Sequence, residues 1–475
     1  MEPVDEVAPA LYGGSRLTSD LESPSEFAYD GLVVAPLGVV DLEGPTDQAP
    51  IAHAPTAEDR AIAEAIAAQA EWMTEFLARL VDKPTLLGDE GSGQAVVREA
   101  IRELGLEPVD VPMDEEALRA HPLASPFDWD VSGKCNVVAT WEPGERSDGR
   151  SLILNGHVDV VSPEPRAQWA RDPFVAHVED DWLYGRGAAD MKCGIAAILG
   201  AVKGLRELGL RPHAPVHLES VVEEECTGNG ALQTVLSGYT ADAVVITEPF
   251  GGAITTSQVG VLWFHVRMKG LPGHAAESGH AVNAIESSLK MIRALRVLEA
   301  ELNESPPAPY DQYPHPIGLN VGTIQGGDWP STVPGECTIG FRIALYPDMA
   351  IRDLQDRIEA IVAEAAAADP SMFGYPPEVV YNGFRAGGYE LSPDEPLVRT
   401  LSGAYARHHG APPALVATTG TTDARVFGLV GGIPSVCFGP YAEQAHGVGE
   451  RVYLPSVVST AQVLGLFVRD WCGVS

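Results

Sequence analysis

Positive charge is scarce in this chain. Its 475 residues carry 31 Lys and Arg against 66 Asp and Glu, a formal net charge of −35. A field of that sign repels phosphate backbones and anionic lipid, so neither nucleic-acid binding nor membrane-surface association is expected, and it attracts cations. Cysteine is thin as well. Cys135, Cys193, Cys226, Cys337, Cys437 and Cys472 lie scattered with no C-x-x-C pair, which argues against a disulfide framework or a zinc knuckle. No apolar run approaches the ~18 residues that span a bilayer, and the Ala-rich stretch from Ile195 is broken by Lys203. The opening MEPVDEVAPALYGG has neither the basic nor the apolar region of a signal peptide. These absences predict a soluble cytoplasmic protein with reduced thiols and no membrane or nucleic-acid partner.

What is present is a globular composition, 45% apolar and 20% charged, long enough for two or three domains of about 150 residues each. Residues 1–55 stand apart, with seven prolines, ten acids and the single base Arg16; they read as an acidic Pro-rich extension. Thr56 opens a helix with Asp59 in the capping-box position, followed at helical spacing by Ile62, Ile66, Ala70, Met73, Leu77 and Leu80. From Gln94 onward short apolar strands alternate with helices, the pattern of an α/β layered domain with a largely parallel sheet. After Gly260 the order becomes β-α-β-β-α-β, opening with a strand over Val261–Met268 and a long helix over Ala281–Asn303, which is ferredoxin-like, and after Arg385 the α/β texture resumes. The predicted organisation is therefore one catalytic domain over residues 56–259 and 385–475, interrupted by an inserted domain over 260–384.

Metal-capable residues cluster where predicted strands end, the edge at which open α/β sheets bind ligands. The run Asn155-Gly-His157-Val-Asp159 places a His and an Asp on one side of an extended chain, with the Asp able to accept the second imidazole N–H. Asp190, in Gly185-Arg-Gly-Ala-Ala-Asp190-Met-Lys192, sits before a helix and could be an N-cap or a bridge between two cations. Glu223, Glu224 and Glu225 abut an apolar strand and a Gly-rich turn, where only cations or water could relieve their repulsion. Glu248 closes another strand in Thr247-Glu248-Pro249, and His446 follows the apolar run from Ile433 to Phe438. Two His with several carboxylates make the mixed N/O environment that suits Zn²⁺, Co²⁺ or Mn²⁺.

The order G-H-x-D-V-V, G-R-G-x-x-D-M-K, E-E-E-x-x-G-x-G, T-E-P and A-H resembles the dinuclear-metal amidohydrolase family of acetylornithine deacetylase, succinyl-diaminopimelate desuccinylase, aminoacylase and carboxypeptidase G. The resemblance runs from about Thr56 to the C-terminus. It implies an α/β three-layer catalytic domain with an inserted lid and dimerisation domain, two divalent ions per chain (Zn²⁺ first, Co²⁺ or Mn²⁺ as alternatives) and a homodimer. Carried over by motif, His157 and Glu248 would ligate one ion, Glu225 and His446 the other, and Asp190 both. Glu224 would be the general base and Asp159 the orienting residue, with Glu223 as the leading acid of the triplet; shifting the register by one would make Glu223 the base and Glu224 the ligand, against which the distance to Gly230 argues. In the reaction so implied, paired cations lower the pKa of a shared water from 15.7 to roughly 7, the resulting hydroxide attacks an amide carbonyl, and Glu224 relays the proton to the leaving amine.

The same resemblance assigns His274, in Gly273-His274-Ala-Ala, to the oxyanion, reaching into the neighbouring subunit. It assigns Arg342 to a substrate carboxylate, a task suited to a guanidinium fork. Thr422 and Asp423 fall in a Gly-Thr-Asp-like substrate loop whose usual leading Gly is Thr419 here. Asn320 is a further pocket candidate, with a structural strand-face role as its alternative. The chain departs from the family pattern at Cys193, at Cys226 and in Gly447-Val-Gly-Glu450. The implied substrate is an N-acyl amino acid. The alternatives are a dipeptidase or carboxypeptidase on the same centre and, in another class, a non-catalytic metal-binding scaffold, which would have been free to lose the ligands this chain retains.

Overall fold

In the computed structural model the described residues are 54–475, together with the backbone of the strand Val39–Asp41. The acidic extension expected over residues 1–55 therefore lies almost wholly outside the described residues. A ten-stranded sheet forms the frame. At its centre Ser435–Cys437, Val244–Ile246, Leu152–His157 and Val216–Val221 run parallel as neighbours, and antiparallel strands flank them on the far side through Cys135–Trp141 and Pro108–Pro112. The four central strands are almost fully buried, as expected for apolar runs covered on both faces.

One face is covered by the helix Lys192–Glu207, itself buried from Lys192 to Val202, and by Leu454–Cys472 packed across it. Gly194 makes this approach possible. A Cβ there would stand 2.2 Å from the Thr247 carbonyl oxygen, so any side chain would push the helix off the strand that leads to Glu248. The helix Asn229–Leu236 lies on the opposite face, where Thr234 donates to Glu219 of the central strand. The result is three layers with the parallel strands in the middle.

The second unit is a five-stranded sheet ordered Leu319–Gly326, Glu336–Leu345, Gly260–Lys269 and Glu378–Val380, with Arg385–Ala386 pairing beside the third. Together with the helices Ala284–Leu302 and Ile351–Ala367, the chain order is β-α-β-β-α-β. Period-two alternation explains its core. Leu262, Phe264, Val266 and Met268 face the helices, whose Met291, Leu295, Leu298, Leu354 and Ile358 pack against them. The opposite face carries Trp263, Arg342 and Asn320 as direct cross-strand neighbours.

Two elements differ from the sequence expectation. The periodic stretch after Thr56 forms two helices, Ala57–Ala67 and Ala70–Val81, rather than one. The first lays Ile66 against Gly204 and Gly465, and the second lays Met73 against Gly200, so contacts with two different helices turn the chain where no Pro or Gly does. Likewise the helix expected from Ala281 begins at Ala284 behind an Asn283 cap, preceded by the short 3₁₀ segment Ala275–His280. Among the described residues no helix is long and apolar enough to cross a membrane.

The capping box at Thr56 is complete: Asp59 N–H donates to the Thr56 hydroxyl at 3.0 Å and Thr56 N–H to the Asp59 carboxylate at 2.7 Å. Asp59 also pairs with Arg469 of the C-terminal helix at 2.7 Å. Burial works against ionisation of Asp59, but these bonds outweigh it and hold its pKa at about 2. Thr56→Ala should cost about 1 kcal/mol in denaturant unfolding. A carboxylate with a depressed pKa stabilises above its unfolded-state value and loses that contribution as pH falls. The deficit of Asp59→Asn should therefore be full at pH 7 and shrink below about pH 4; a deficit that does not change with pH would contradict this linkage.

Candidate metal centre

Each chemistry-bearing side chain is delivered by the C-terminal end of a central strand or by the loop after it. His157 ends Leu152–His157, the Glu223–Glu225 run follows Val216–Val221, and Glu248 comes two residues after Val244–Ile246. Asp190 precedes the helix Lys192–Glu207, and His446 lies in the loop beyond Ser435–Cys437. Parallel pairing aligns these ends on one edge of the sheet.

The six residues meet there. His157 Nε2 is 3.1 Å from Asp190 Oδ1, 3.8 Å from Glu248 Oε1 and 3.9 Å from Glu224 Oε2. His446 Nε2 is 3.3 Å from Asp190 Oδ2 and 3.0 Å from Glu225 Oε1. The two oxygens of Asp190 thus face two different imidazoles. Ligand atoms of His157, Glu224 and Glu248 lie within 4.8 Å of one another, and so do those of His157, Asp190 and Glu225.

The run of three glutamates is divided by its surroundings. Glu223 turns away from the cluster and is buried against Lys134, 2.7 Å away, with Trp129 and Thr227 donating to the same carboxylate. Lys134 also pairs with Glu90 at 3.0 Å. Glu224 and Glu225 face the cluster, and their main-chain N–H groups donate to the Asp159 carboxylate at 3.2 and 3.0 Å. Asp159 acts on His157 differently from the sequence expectation. The imidazole Nδ1 bonds the Asp159 main-chain carbonyl at 3.0 Å, while the carboxylate, occupied by the two amides, stays 3.6 Å away. In the neutral ring this bond leaves the Nε2 lone pair facing the cluster.

Charge decides what such a site can hold. Among the described residues no Lys or Arg pairs with Asp190, Glu224, Glu225 or Glu248; their only cationic partners are the two His. Burial raises the pKa of Glu224 and of Glu248 well above the ordinary range, and raises Asp159 to about 7. Burial opposes protonation of His157, yet the Asp190 bond and the Asp159, Glu248 and Glu224 charges raise its pKa well above normal. Glu225, with Asp190, lifts His446 to about 11. Buried charge left uncompensated is costly. Four carboxylates with two imidazoles therefore fit divalent cations by donor type and by charge.

The other residues singled out in the sequence stand outside this ligand set, although the charge of Asp423 acts on His157, Glu224 and Glu248. No hydrogen bond or ion pair joins His274, Arg342 or Asn320 to the cluster among the described residues. His274 is exposed on the short ladder Gly273–His274 with Thr332–Val333, its Nδ1 accepting from Ala276 N–H. Arg342 is half-buried with no ion partner among the described residues, burial lowering its pKa, and Asn320 is exposed opposite it. The Thr422 hydroxyl is spent on Gln258 at 2.6 Å. Asp423 is buried with neither carboxylate oxygen hydrogen-bonded, and burial raises its pKa to about 6 against the pull of Arg425. Sequence reading did not anticipate Lys134; an unrelieved acidic triplet signalled the need for a cation without indicating its position.

The model of peptidase family M20/M25/M40 matches residues 153–470. Over 366 residues the chain is 30% identical to an N-formyl-4-amino-5-aminomethyl-2-methylpyrimidine deformylase of Halalkalibacterium halodurans, covering 72% of this chain and 84% of that protein. Over 400 residues it is 27% identical to a succinyl-diaminopimelate desuccinylase of Paracoccus denitrificans, covering 82% and 95%. Human carnosine dipeptidase 1 superposes with a TM-score of 0.72 over 88% of this chain and 99% of that one, at 17% identity, a likeness of fold.

The proton balance of the cluster yields a measurable sign. Imidazole ligands must be neutral and carboxylate ligands ionised. The ion-free chain holds a proton on His446, at about 11, and the raised pKa values of His157, Glu224 and Glu248 make each hold its proton to higher pH than the free group does. Zn²⁺ uptake at pH 7 should therefore release protons and tighten as pH rises. Calorimetric titration in two buffers of different ionisation enthalpy reads the release directly; uptake without it would contradict the electrostatics described.

Proposed function

Because the chain belongs to peptidase family M20/M25/M40 and is thus a hydrolase acting on an amide bond, we propose that it removes the acyl group from an N-acyl amino acid or a related small N-acyl amine. The observation that carries this reading is the split carboxylate of Asp190, one oxygen toward His157 and the other toward His446. His157 and Glu248 would hold one divalent ion, Glu225 and His446 a second, and Asp190 would belong to both. Zn²⁺ is the first candidate for this N/O donor set, Co²⁺ or Mn²⁺ the alternatives. When bound, the ions would polarise the amide carbonyl and acidify water.

The residues of the chain divide the remaining work. Glu224, buried beside His157 and outside the Asp190 bridge, takes the proton of the attacking water and delivers it to the departing amine. The pairing of the Glu223 carboxylate with Lys134 supports this register. Asp159 fixes the His157 ring through its carbonyl and the Glu224–Glu225 backbone through its carboxylate. Arg342, without an ion partner of its own, receives the substrate carboxylate, with Asn320 beside it. Asp423 lines the acyl or amine pocket from the loop after Thr422, and His274 donates to the oxyanion. The names of the two sequence relatives, a deformylase and a desuccinylase, support an acylated amine as substrate. A dipeptidase is the second reading, because Arg342 would serve a dipeptide carboxylate equally well.

We assign residues 260–384 to a lid that also forms a homodimer. Leu319–Gly326 is an edge strand exposed over most of its length, and Leu289 and Val297 on the neighbouring helix are 49% and 56% exposed, an unprotected edge with apolar flanks. Six free thiols accord with a reducing cytoplasm.

Turnover of the metal-loaded protein on N-formyl, N-acetyl and N-succinyl amino acids, N-formyl aminomethylpyrimidine and dipeptides tests the substrate class; hydrolysis of dipeptides alone would overturn the deacylase reading. Glu224→Gln should lower kcat by ~10²–10⁴ with metal content retained, whereas a dead Glu223→Gln with an active Glu224→Gln would reverse the register. His274→Ala should cost ~10²–10³ in kcat. If His274 serves the partner's site, mixing His274→Ala with Glu224→Gln subunits restores activity once mass measurements show exchange; no recovery would place His274 in its own site.

A further inference from the structure

His157 and His446 are held in different ways. The His157 ring is oriented through its second nitrogen, bonded to the Asp159 carbonyl. Among the described residues nothing bonds Nδ1 of His446, although its Nε2 faces Asp190 and Glu225. A ligand imidazole ordinarily needs such an orienting partner. His446 is also half-exposed and has a φ of 61°, in the left-handed region that a residue with a side chain occupies only when its surroundings impose it. Something other than the ring must therefore fix this residue.

The main-chain contacts supply it. Arg186 Nη2 donates to the carbonyls of His446 at 3.2 Å, Gly447 at 3.3 Å and Ser162 at 3.3 Å. Its Nη1 pairs with Glu450, and both side chains are buried. The other Glu450 oxygen accepts the main-chain N–H groups of Gly187, Ala189 and Asp190 at 2.9, 2.9 and 3.1 Å. One buried ion pair thus ties the backbone of the Asp190 turn to the backbone of the His446 loop, across 264 positions of sequence. Only a guanidinium has enough donors in a fixed fork to bond Glu450 and several carbonyls together.

We propose that Arg186 and Glu450 are positioning residues that set His446 against Asp190, and that they govern occupancy of the ion position on the His446 side while leaving the His157 side intact. This rests on the two-ion reading given above. His157 and Glu248 take their places from the central strands, and the Asp190 turn is bonded to Glu450 rather than to the guanidinium, so loosening the fork moves the His446 loop first.

The test is equilibrium dialysis of the full chain with Co²⁺ alone, followed by thermal unfolding of each ion-free variant. Arg186→Lys keeps the charge beside Glu450 and removes the fork. Wild type should take up two ions per chain. Arg186→Lys should bind the first with unchanged Kd and the second ~10–100-fold more weakly. In a His446→Ala background Arg186→Lys should change nothing further, which a general loss of structure would not reproduce. Should Arg186→Lys not fold, Glu450→Gln, which keeps shape and an acceptor oxygen, should give the same split. Equal weakening of both steps, an unchanged second step, or an added loss in the His446→Ala background would overturn the proposal. Wild type binding fewer than two ions would overturn the two-ion reading beneath it, a result distinguishable from the others because it needs no variant.

Discussion

The molecule is organised around a group of buried carboxylates that, among the described residues, no Lys or Arg neutralises. Asp190, Glu224, Glu225 and Glu248 converge at one edge of a parallel sheet with only two imidazoles among them. Taking an isolated carboxylate out of water is costly, and here four are gathered where, among the described residues, the strand ends offer no Lys or Arg. Elsewhere the same chain meets this demand with fixed partners: Lys134 lies between Glu90 and Glu223, and Arg186 lies against Glu450. Compensation beside the cluster and its absence within it separate acids that hold structure from acids free to hold cations.

The surrounding architecture follows from keeping that edge rigid. Buried parallel strands place His157, Glu224, Glu225 and Glu248, and the closely packed helix behind them, admitted by Gly194, prevents the Thr247–Glu248 segment from drifting. The loops contribute Asp190 and His446, which lack strand registration of their own and depend on main-chain anchoring. Asp159 applies the same economy on the other side, holding an imidazole with its carbonyl and two amides with its carboxylate. Rigid elements thus carry part of the centre and hydrogen-bonded braces carry the rest.

The five-stranded unit contributes what the edge lacks. Its helix-covered face is an ordinary apolar core, whereas its open face aligns Asn320, Arg342 and Trp263 across three strands. Among the described residues the half-buried Arg342 guanidinium has no ion partner, and none of the cluster acids pairs with it.

Much of this was legible in the sequence because it depends on local pattern. Apolar runs between helices announced the layered sheet, the β-α-β-β-α-β order after Gly260 announced the second unit, and motifs at strand ends brought His157, Asp190, Glu224, Glu225, Glu248 and His446 forward together. What local pattern cannot carry is the partner of each group. Which glutamate of three turns inward depends on Lys134, 89 positions from Glu223. The break between Ala57–Ala67 and Ala70–Val81 depends on packing against two other helices. Arg186 and Glu450 stood within quoted motifs, yet their pairing across the fold could not be read from either one. The sequence by itself determined the order of elements and the kinds of side chain at the strand ends, since periodicity and turn chemistry act over a few residues. Only the tertiary structure decided which charges are neutralised and which are left facing one another, because electrostatic pairing acts through space between segments that the chain keeps far apart.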